Sequence, residues 1–263
     1  MANVAKCVRQ CLLPATLAAI TLSVPAATIG AQPTREITLW TARALATVLA
    51  EVGSEFEHSS GYHLHIVSDL PNGFQRRLDA GESFDLLISA DATVDAWTQR
   101  GHVVADSRRP IAKSGIGVAV RAGARKPDLS TTEAFKRALL NAKSIAYLKV
   151  GSGIYMDALL DRLGIADAVK PKVLRPDTDI VAEMVAKGEA ELAVVVITQI
   201  LTTDGVELAG PLPPDIQRIM TFSGAISTTA RSREGAQALL DFLRSPSAVR
   251  VMKAQGMQPG SLP

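Results

Sequence analysis

The sequence predicts an α/β protein built on parallel or mixed sheets. Short apolar runs alternate with segments in which apolar residues recur at helical spacing, and this alternation continues along most of the 263 residues. Turns rich in glycine, serine, asparagine and aspartate separate the two kinds of segment. Because no repeat or low-complexity linker interrupts the pattern, the length suits one compact domain or two small lobes.

The first 31 residues have the pattern of a secretory signal peptide. Lys6 and Arg9 precede a mostly apolar run at 12–24, and small residues then lead to Ala31. We therefore expect export to the periplasm, with cleavage after Ala31 or a few residues earlier. Both cysteines lie in this segment, so the exported protein is expected to contain no thiol and no disulfide.

Removal of that segment changes the charge balance. The whole chain has 28 basic and 26 acidic residues, and the segment contains two of the bases and no acid. The exported chain is therefore balanced. Balanced charge and an aromatic content of 4% argue against binding to nucleic acid or to an anionic membrane.

The exported chain begins with three predicted strands and two predicted helices. Its predicted elements are strands at 37–40, 62–67 and 85–89, helices at 45–56 and 94–100, and a run of turn formers at 68–73. Thr41-Ala42-Arg43 is then the first loop between a strand and a helix.

A second set of units begins with a strand at 116–120. A capping-box pattern at 130–133 opens the next helix, and the continuous apolar run at 192–197 is typical of a strand buried on both faces. The remaining predicted elements are a strand at 173–174, a helix at 180–185, a strand at 225–227, a helix at 236–243 and a last helix after Ser245.

The most informative stretch is 144–160, which reads as a strand, a tight turn and the start of a helix. Glycines at 151 and 153 let the backbone approach a ligand, and Ser152 adds a hydroxyl. The first helical turn leaves amide donors unpaired at the positive end of the helix dipole, which favours anions. An ordinary strand-to-helix connection has the same residues. Met156 stands where a dinucleotide-binding loop needs a small residue.

Three further motifs resemble those of a known family. Residues 84–91, 187–193 and 236–246 are similar to the type II periplasmic solute-binding proteins, and specifically to the molybdate-binding receptors of ABC transporters. The likeness covers the whole exported chain. It implies a two-lobed, periplasmic-binding-protein-like II fold of class α/β, with mixed sheets joined by a hinge that the chain crosses twice.

The same resemblance implies lobe limits and partners. With crossings near Gly115 and Thr221, residues 32–114 and 222–263 form lobe 1, and residues 115–221 form lobe 2. A small anionic ligand would lie in the cleft between the lobes, at the loops that follow the strands. Closure on the ligand would be a hinge movement, recognised by an ABC permease in the membrane. We expect a monomer without a cofactor or a bound metal.

Positions carried over from the family give a set of ligand-binding candidates. They are Thr41, Ala42, Arg43, Ser68, Asp69, Ser89, Gly151, Ser152, Gly153, Tyr155 and Thr198. Molybdate receptors have a small residue and a serine in the first loop, a Ser-Ser pair in the second and a tyrosine near position 196. This chain instead has Arg43, Ser68-Asp69 and Val196. Arg43 favours a planar carboxylate, because guanidinium binds carboxylate in a two-point fork, and a solvated arginine at a helix start is the alternative. Asp69 is expected to pair with Arg43.

Other short sequence segments resemble those of the periplasmic aconitate isomerases, which belong to the same family. They lie at 126–128, 153–155 and 221–225. Such an enzyme moves a proton along an allylic tricarboxylate, so it needs groups that remove and return a proton. Lys149, Tyr155 and Asp69 are the candidates, and structural roles at the surface or the core edge are the alternative.

Two other chemistries find less support. His63 and His65 share one face of a predicted strand, as a zinc-binding pair would, although a polar sheet edge has the same pattern. The turn Gly-x-Ser-x-Gly of serine esterases is missing from the sequence. The sequence therefore predicts a receptor for a molybdate-like oxyanion or a small carboxylate, with an aconitate-type isomerase as the alternative.

Overall fold

A computed structural model describes residues 35–260. The predicted signal peptide and both cysteines lie outside the described residues. The strands are β1 Glu36–Thr41, β2 His63–Ser68, β3 Leu86–Ala90, β4 Arg109–Arg121, β5 Ile145–Ala146, β6 Val173–Leu174, β7 Leu192–Val196, β8 Val206–Pro211, β9 Ile219–Ile226 and β10 Gln258–Pro259. The α-helices are α1 Arg43–Ser60, α2 Pro71–Asp79, α3 Asp91–Gln99, α4 Thr132–Asn141, α5 Ser152–Arg162, α6 Ala166–Val169, α7 Val181–Ala186, α8 Ile197–Leu201, α9 Arg233–Phe242 and α10 Pro246–Ala254.

The first lobe is built on a mixed sheet with the strand order β2-β1-β3-β9-β4. Strand β1 is parallel to β2 and β3, whereas β9 is antiparallel to β3 and β4. Alternating side chains of β1 point to opposite faces of this sheet. Leu39 packs in the cluster formed with α1, α9 and α10, and Trp40 stacks on Phe74 and Phe84 on the other face.

The second lobe is built on a sheet with the order β4-β7-β5-β6, and β8 also pairs with β4. Strands β5, β6 and β7 are parallel to one another, and β4 is antiparallel to β7. All five residues of β7 are buried, as the apolar run predicts for a strand covered on both faces. Each face of the sheet has its own hydrophobic cluster.

Strand β4 belongs to both sheets. Gly115 pairs with Ile219 of β9, and the next residue, Ile116, pairs with Val196 of β7. The chain returns to the first sheet as β9, so it crosses between the sheets twice. The predicted fold class, two α/β lobes with mixed sheets and a two-crossing hinge, is confirmed. The lobe limits at 114/115 and 221/222 stay a prediction about which residues move together.

One side chain joins the two crossing segments. The amide oxygen of Gln217 accepts a hydrogen bond from the backbone N–H of Ile116 at 3.0 Å, and its amide nitrogen donates to the Ile116 carbonyl at 3.0 Å. The same oxygen accepts from the N–H of Arg218 at 2.9 Å. Gln217 therefore replaces a backbone strand partner at the point where β4 changes sheets.

Some elements differ from their predicted form. Helix α2 begins at Pro71 inside the predicted run of turn formers, because proline at the first helical position fits the helical φ and removes an N–H that has no helical partner. The cap of α4 is Thr131, whose hydroxyl accepts from the N–H of Ala134 at 3.1 Å. The predicted cap, Ser130, instead donates its N–H to the Asp128 carboxylate at 2.9 Å. Strand β8 has no strong alternation and was not predicted.

Within the described range, every helix is too short or too polar to span a bilayer. The long helix α1 is amphipathic and ends at Gly61, which adopts the left-handed conformation with φ +72°.

Replacement of Gln217 by alanine tests its role at the crossing. We expect Gln217→Ala to lower the free energy of unfolding by about 1–3 kcal/mol, because the N–H of Ile116 loses its acceptor. Chemical denaturation measures this change. The matched control is Gln237→Ala, whose amide bonds only to Asp241 on the surface of α9, with an expected cost within about 0.5 kcal/mol. Equal costs for the two variants would show that Gln217 has no special role.

Candidate functional site

A cavity of about 80 Å³ lies between the two lobes, where the chain leaves the carboxyl ends of the parallel strands. Open α/β sheets bind ligands at this end. The lining residues are Ala42, Arg43, Ala44, Asp69, Leu70, Pro71, Ser89, Ala90 and Thr93 from the first lobe, Leu148, Val150, Gly151, Ser152, Asp179, Val196 and Gln199 from the second, and Met220 and Phe222 from β9.

Four helices of nine or more residues begin at this cavity. They are α1, α2 and α3 from the first lobe and α5 from the second. A helix N-terminus has backbone N–H groups without helical partners and the positive end of the helix dipole. The Asp69 carboxylate lies over the first turn of α2, and Asp91 is the first residue of α3, which leaves the N-termini of α1 and α5 open to a ligand. Their convergence from two sides makes the cavity favourable for negative charge.

Two glycines shape the loop between β5 and α5. Gly151 has φ +57° and ψ −118°, a conformation that side chains with a Cβ rarely adopt. A Cβ on Gly153 would lie 1.6 Å from the carbonyl oxygen of Leu148, so the close approach of helix and loop requires glycine. This geometry places Ser152 at the first position of α5.

The hydroxyl of Ser152 is the most unusual polar group in the cavity. The residue is 2% exposed, and its Oγ is buried without a hydrogen-bond partner among residues 35–260. Leaving a buried hydroxyl unpaired costs about 1–3 kcal/mol. Ser89, also 2% exposed, lines the facing side of the cavity at the end of β3. A bound acceptor in the cavity would give the Ser152 hydroxyl its missing partner.

Arg43 connects the lobes across the cavity. Its guanidinium is paired with the carboxylate of Glu183 on α7, so the first residue of α1 contacts the second lobe. The expected pairing of Arg43 with Asp69 is wrong. The Asp69 carboxylate folds over the first turn of α2, where it accepts from the N–H of Leu70 at 2.8 Å and pairs with Arg77 at 3.5 Å. The positive helix terminus holds Asp69 there.

A second acid, Asp179, faces the cavity from the second lobe. Its carboxylate accepts a hydrogen bond from the side-chain amide of Gln199 at 2.7 Å. Burial raises the pKa of Asp179, and the Gln199 bond and the charge of Arg43 offset only part of that effect. The sequence analysis missed Asp179 and Glu183, because no local pattern shows that either residue comes close to Arg43.

A partly buried polar cluster of Tyr147, Asp157 and Arg175 contacts the β5–α5 loop. The Tyr147 hydroxyl donates to the Asp157 carboxylate at 2.9 Å, and the guanidinium of Arg175 pairs with that carboxylate at 2.9 Å. Arg175 also donates to the carbonyl of Leu148 at 3.3 Å. Burial, together with the bond to Asp157, raises the pKa of Tyr147 well above its ordinary value. The phenol therefore stays protonated and acts as a fixed donor.

Several predicted site residues do not line the cavity. The Thr41 hydroxyl donates to the carbonyl of Ala42 at 3.3 Å, and the Thr198 hydroxyl donates to Ser114 at 3.1 Å. Ser68 is exposed at the end of β2, the edge strand of the first sheet. Gly153 shapes the loop without lining the cavity. The structure thus brings together Ala42, Arg43, Asp69, Ser89, Gly151 and Ser152 of the predicted set.

The predicted proton-transfer residues have other partners. The ammonium of Lys149 pairs with the exposed carboxylate of Asp177. The Tyr155 hydroxyl donates to the carbonyl of Ile216 at 2.6 Å, and its ring lines a groove beside the cavity. Of the three candidates, Asp69 alone lines the cavity.

His63 and His65 are exposed on the edge strand β2. Within residues 35–260, no group of three or more histidine, cysteine, aspartate or glutamate side chains is arranged to hold a metal ion.

Comparison with known proteins agrees with this architecture. An aconitate isomerase from Pseudomonas sp is 30% identical over 237 residues, which cover 88% of this chain and 90% of that protein. Molybdate-binding protein ModA from Azotobacter vinelandii is 28% identical over 220 residues, which cover 79% of this chain and 84% of that protein. The solved structure of the Azotobacter vinelandii periplasmic molybdate-binding protein has a TM-score of 0.71 and 20% identity, covering 86% of this chain and 99% of that one. The sequence model of the bacterial extracellular solute-binding proteins matches residues 37–258, and this chain belongs to that family.

Proposed function

We propose that this protein is the extracytoplasmic solute-binding component of an ABC transporter and that it binds a small anion in the interlobe cavity. The observation that carries this proposal is the buried, unpartnered hydroxyl of Ser152 at a cavity where four helix N-termini meet. An anion with acceptor oxygens would satisfy that hydroxyl and the free N–H groups at once. Without such a ligand, the arrangement costs stability.

The charges around the cavity favour a carboxylate over a compact dianion. Arg43 is the cation of the cavity lining, whereas Asp69 and Asp179 are acids. The Arg43–Glu183 pair is a single contact, and a ligand carboxylate that replaces Glu183 on the guanidinium can bind it at two points. A molybdate-like dianion would bring two charges next to both acids. We therefore rank small carboxylates above tetrahedral oxyanions as ligands.

The proposed location and partners follow from the family and from the hinge. Solute-binding proteins of this family are extracellular, and the signal-like pattern at 1–31 supports export of this chain. The two crossings allow the lobes to close on a ligand, and the closed form is what a membrane permease would recognise. A permease is therefore the expected protein partner.

A thermal-shift screen tests the ligand class. We expect mono-, di- or tricarboxylates to raise the melting temperature more than molybdate, tungstate or sulfate, since a ligand stabilises the folded state that binds it. Arg43→Ala should remove most of that rise. If Arg43→Ala leaves the response to every stabilising anion unchanged, Arg43 has no ligand role.

Ser152→Ala separates a ligand-binding hydroxyl from a structural one. In the absence of ligand, we expect the stability of this variant to equal that of the wild type or to exceed it by up to about 1 kcal/mol. The reason is that the substitution removes an unpaired buried hydroxyl. Anion affinity should fall by about tenfold, which corresponds to one lost hydrogen bond. Calorimetry with the anion identified by the screen measures the affinity, and chemical denaturation measures the stability.

Ser107→Ala is the matched control for that experiment. Ser107 is also buried, but its hydroxyl donates to the carbonyl of Val104 at 2.6 Å and accepts from the N–H of Ile226 at 2.9 Å. This variant should lose stability and keep its anion affinity. The opposite pattern, with Ser152→Ala unstable but fully able to bind, would overturn the proposed site.

An aconitate-type isomerase is the second candidate function. The 30% identical relative covering 88% of the chain is an aconitate isomerase, and the cavity contains an acid that the transport function does not need. Asp179 is that acid, and burial raises its pKa above the ordinary value for a carboxyl group. A positioned carboxyl group can serve both to remove and to return a proton. In this role it would take a proton from the allylic methylene and return it at the other end of the three-carbon unit.

An ultraviolet assay of cis/trans-aconitate interconversion tests the second candidate. If the protein is an isomerase, catalytic amounts should give sustained turnover, and Asp179→Asn should slow it by about 10²- to 10⁴-fold. Sustained turnover would displace the receptor function. Stoichiometric binding of aconitate without turnover would exclude the isomerase and leave the receptor function in place.

The protonation of Asp179 also predicts a pH dependence of stability. A raised pKa means that the folded state holds this proton more tightly than the unfolded state does. Protonated Asp179 therefore adds to the free energy of unfolding at low pH, and this contribution is lost as the pH rises through the pKa of the folded state. Asp179→Asn removes that loss and can keep the Gln199 bond. We therefore expect the stability of the variant, relative to the wild type, to increase from about pH 4 upward. Thermal melts across pH measure it.

Asp177→Asn is the control with the opposite sign. The bond from Lys149 lowers the pKa of Asp177, so this carboxylate stabilises the fold above its unfolded pKa. The relative stability of the control variant should fall as the pH rises. Parallel pH profiles for the two variants would contradict the assignment of a raised pKa to Asp179.

A further inference from the structure

A groove of about 990 Å³ opens beside the interlobe cavity. Helices α2 and α3 of the first lobe line one side, and α5 of the second lobe lines the other. The groove and the cavity border each other, since they share six lining residues: Pro71, Ala90, Thr93, Val150, Gly151 and Met220. A ligand anchored in the cavity can therefore extend into the groove.

The groove has a strong excess of positive charge. Arg76, Arg100 and Arg218 line it, and none of its seventeen lining residues is acidic. Within residues 35–260, none of these three guanidinium groups is paired with a carboxylate. Arg77, the next residue in the chain, pairs with two carboxylates. The arginines of the groove are thus available for an anionic ligand. In the cavity, by contrast, Arg43 is already paired with Glu183.

The same groove has an apolar wall. Ile154 is 61% exposed although it is a large hydrophobic residue, and it lies on the α5 side with Ala158. Ala96 and Met220 add further apolar lining. A tetrahedral oxyanion has no apolar surface to match such a wall, whereas the carbon skeleton of an organic acid has one.

We propose that this groove is a second anion subsite and that the ligand is a short carbon chain with two or more carboxylates. One carboxylate lies in the cavity near Ser152 and Arg43, and the others lie in the groove near Arg76 and Arg218. This assignment deepens the proposed function and rests on it. The charges of the lining residues explain why the carboxylates of the ligand are divided between the two spaces. The two acids of the cavity limit the cavity to one negative charge of the ligand, whereas the groove has no acidic lining residue.

Titration calorimetry at low salt with butyrate, glutarate and tricarballylate tests the proposal, since these acids have one, two and three carboxylates. The wild type should bind tricarballylate at least tenfold more tightly than butyrate. Arg76→Gln/Arg218→Gln should weaken tricarballylate binding by about two- to thirtyfold, the range expected for two exposed ion pairs, and should leave butyrate binding essentially unchanged.

The control variant removes the same charge elsewhere. Arg125 and Arg137 line a surface pocket of the second lobe that includes Glu191 and none of the cavity residues. Arg125→Gln/Arg137→Gln should change the affinity for all three acids less than about twofold. If the groove variant loses affinity for butyrate and tricarballylate by the same factor, Arg76 and Arg218 act only through their long-range charge. That result would overturn the proposed subsite.

The remaining outcomes separate the two proposals. If butyrate binds in a manner that depends on Ser152 but tricarballylate binds no more tightly, the groove subsite is wrong and the proposed function stands. If none of the acids and no oxyanion binds, both proposals fall.

Discussion

The site depends on hydrogen-bond donors that the fold itself leaves without acceptors. Four helix N-termini meet at the junction of the two sheets, and the buried hydroxyl of Ser152 has no partner in the described part of the chain. These donors lie together because the parallel strands end there and their helices start immediately afterwards. The backbone arrangement therefore sets a preference for anions before any charged side chain contributes. In the function we propose, Arg43 and the groove arginines then select among anions.

The pairing of Arg43 with Glu183 gives the cleft an internal substitute for a ligand. Both side chains are partly exposed, at 43% and 22%, so the pair contributes about 1 kcal/mol or less. Such a pair holds the lobes together weakly, and in the proposed function it would yield to a ligand carboxylate that brings additional contacts. The strength of the hinge lies elsewhere, in the shared strand β4 and the Gln217 amide. Two stable crossings and a weak contact across the cleft suit the proposed receptor, whose lobes would open and close about those crossings.

Local patterns predicted much of the fold. The strands at 37–40 and 192–197 and the glycine turn at 151–153 follow from apolar periodicity and turn chemistry, which act between near neighbours in the chain. The contacts that define the site are of another kind. Arg43 and Glu183 are 140 positions apart, and Gln217 meets Ile116 across 101 positions. Helical spacing and capping rules contain no information about such distances, so Asp179 and Glu183 stayed unseen and Asp69 was paired with the wrong arginine.

A crystal structure of the protein with a bound di- or tricarboxylate tests the central claim most directly. We expect one carboxylate of the ligand within about 3 Å of the Ser152 hydroxyl, with a second oxygen contact to Arg43 and with Glu183 displaced from that guanidinium. A ligand held elsewhere on the surface, with the Ser152 hydroxyl still unpartnered and Glu183 still on Arg43, would contradict the account.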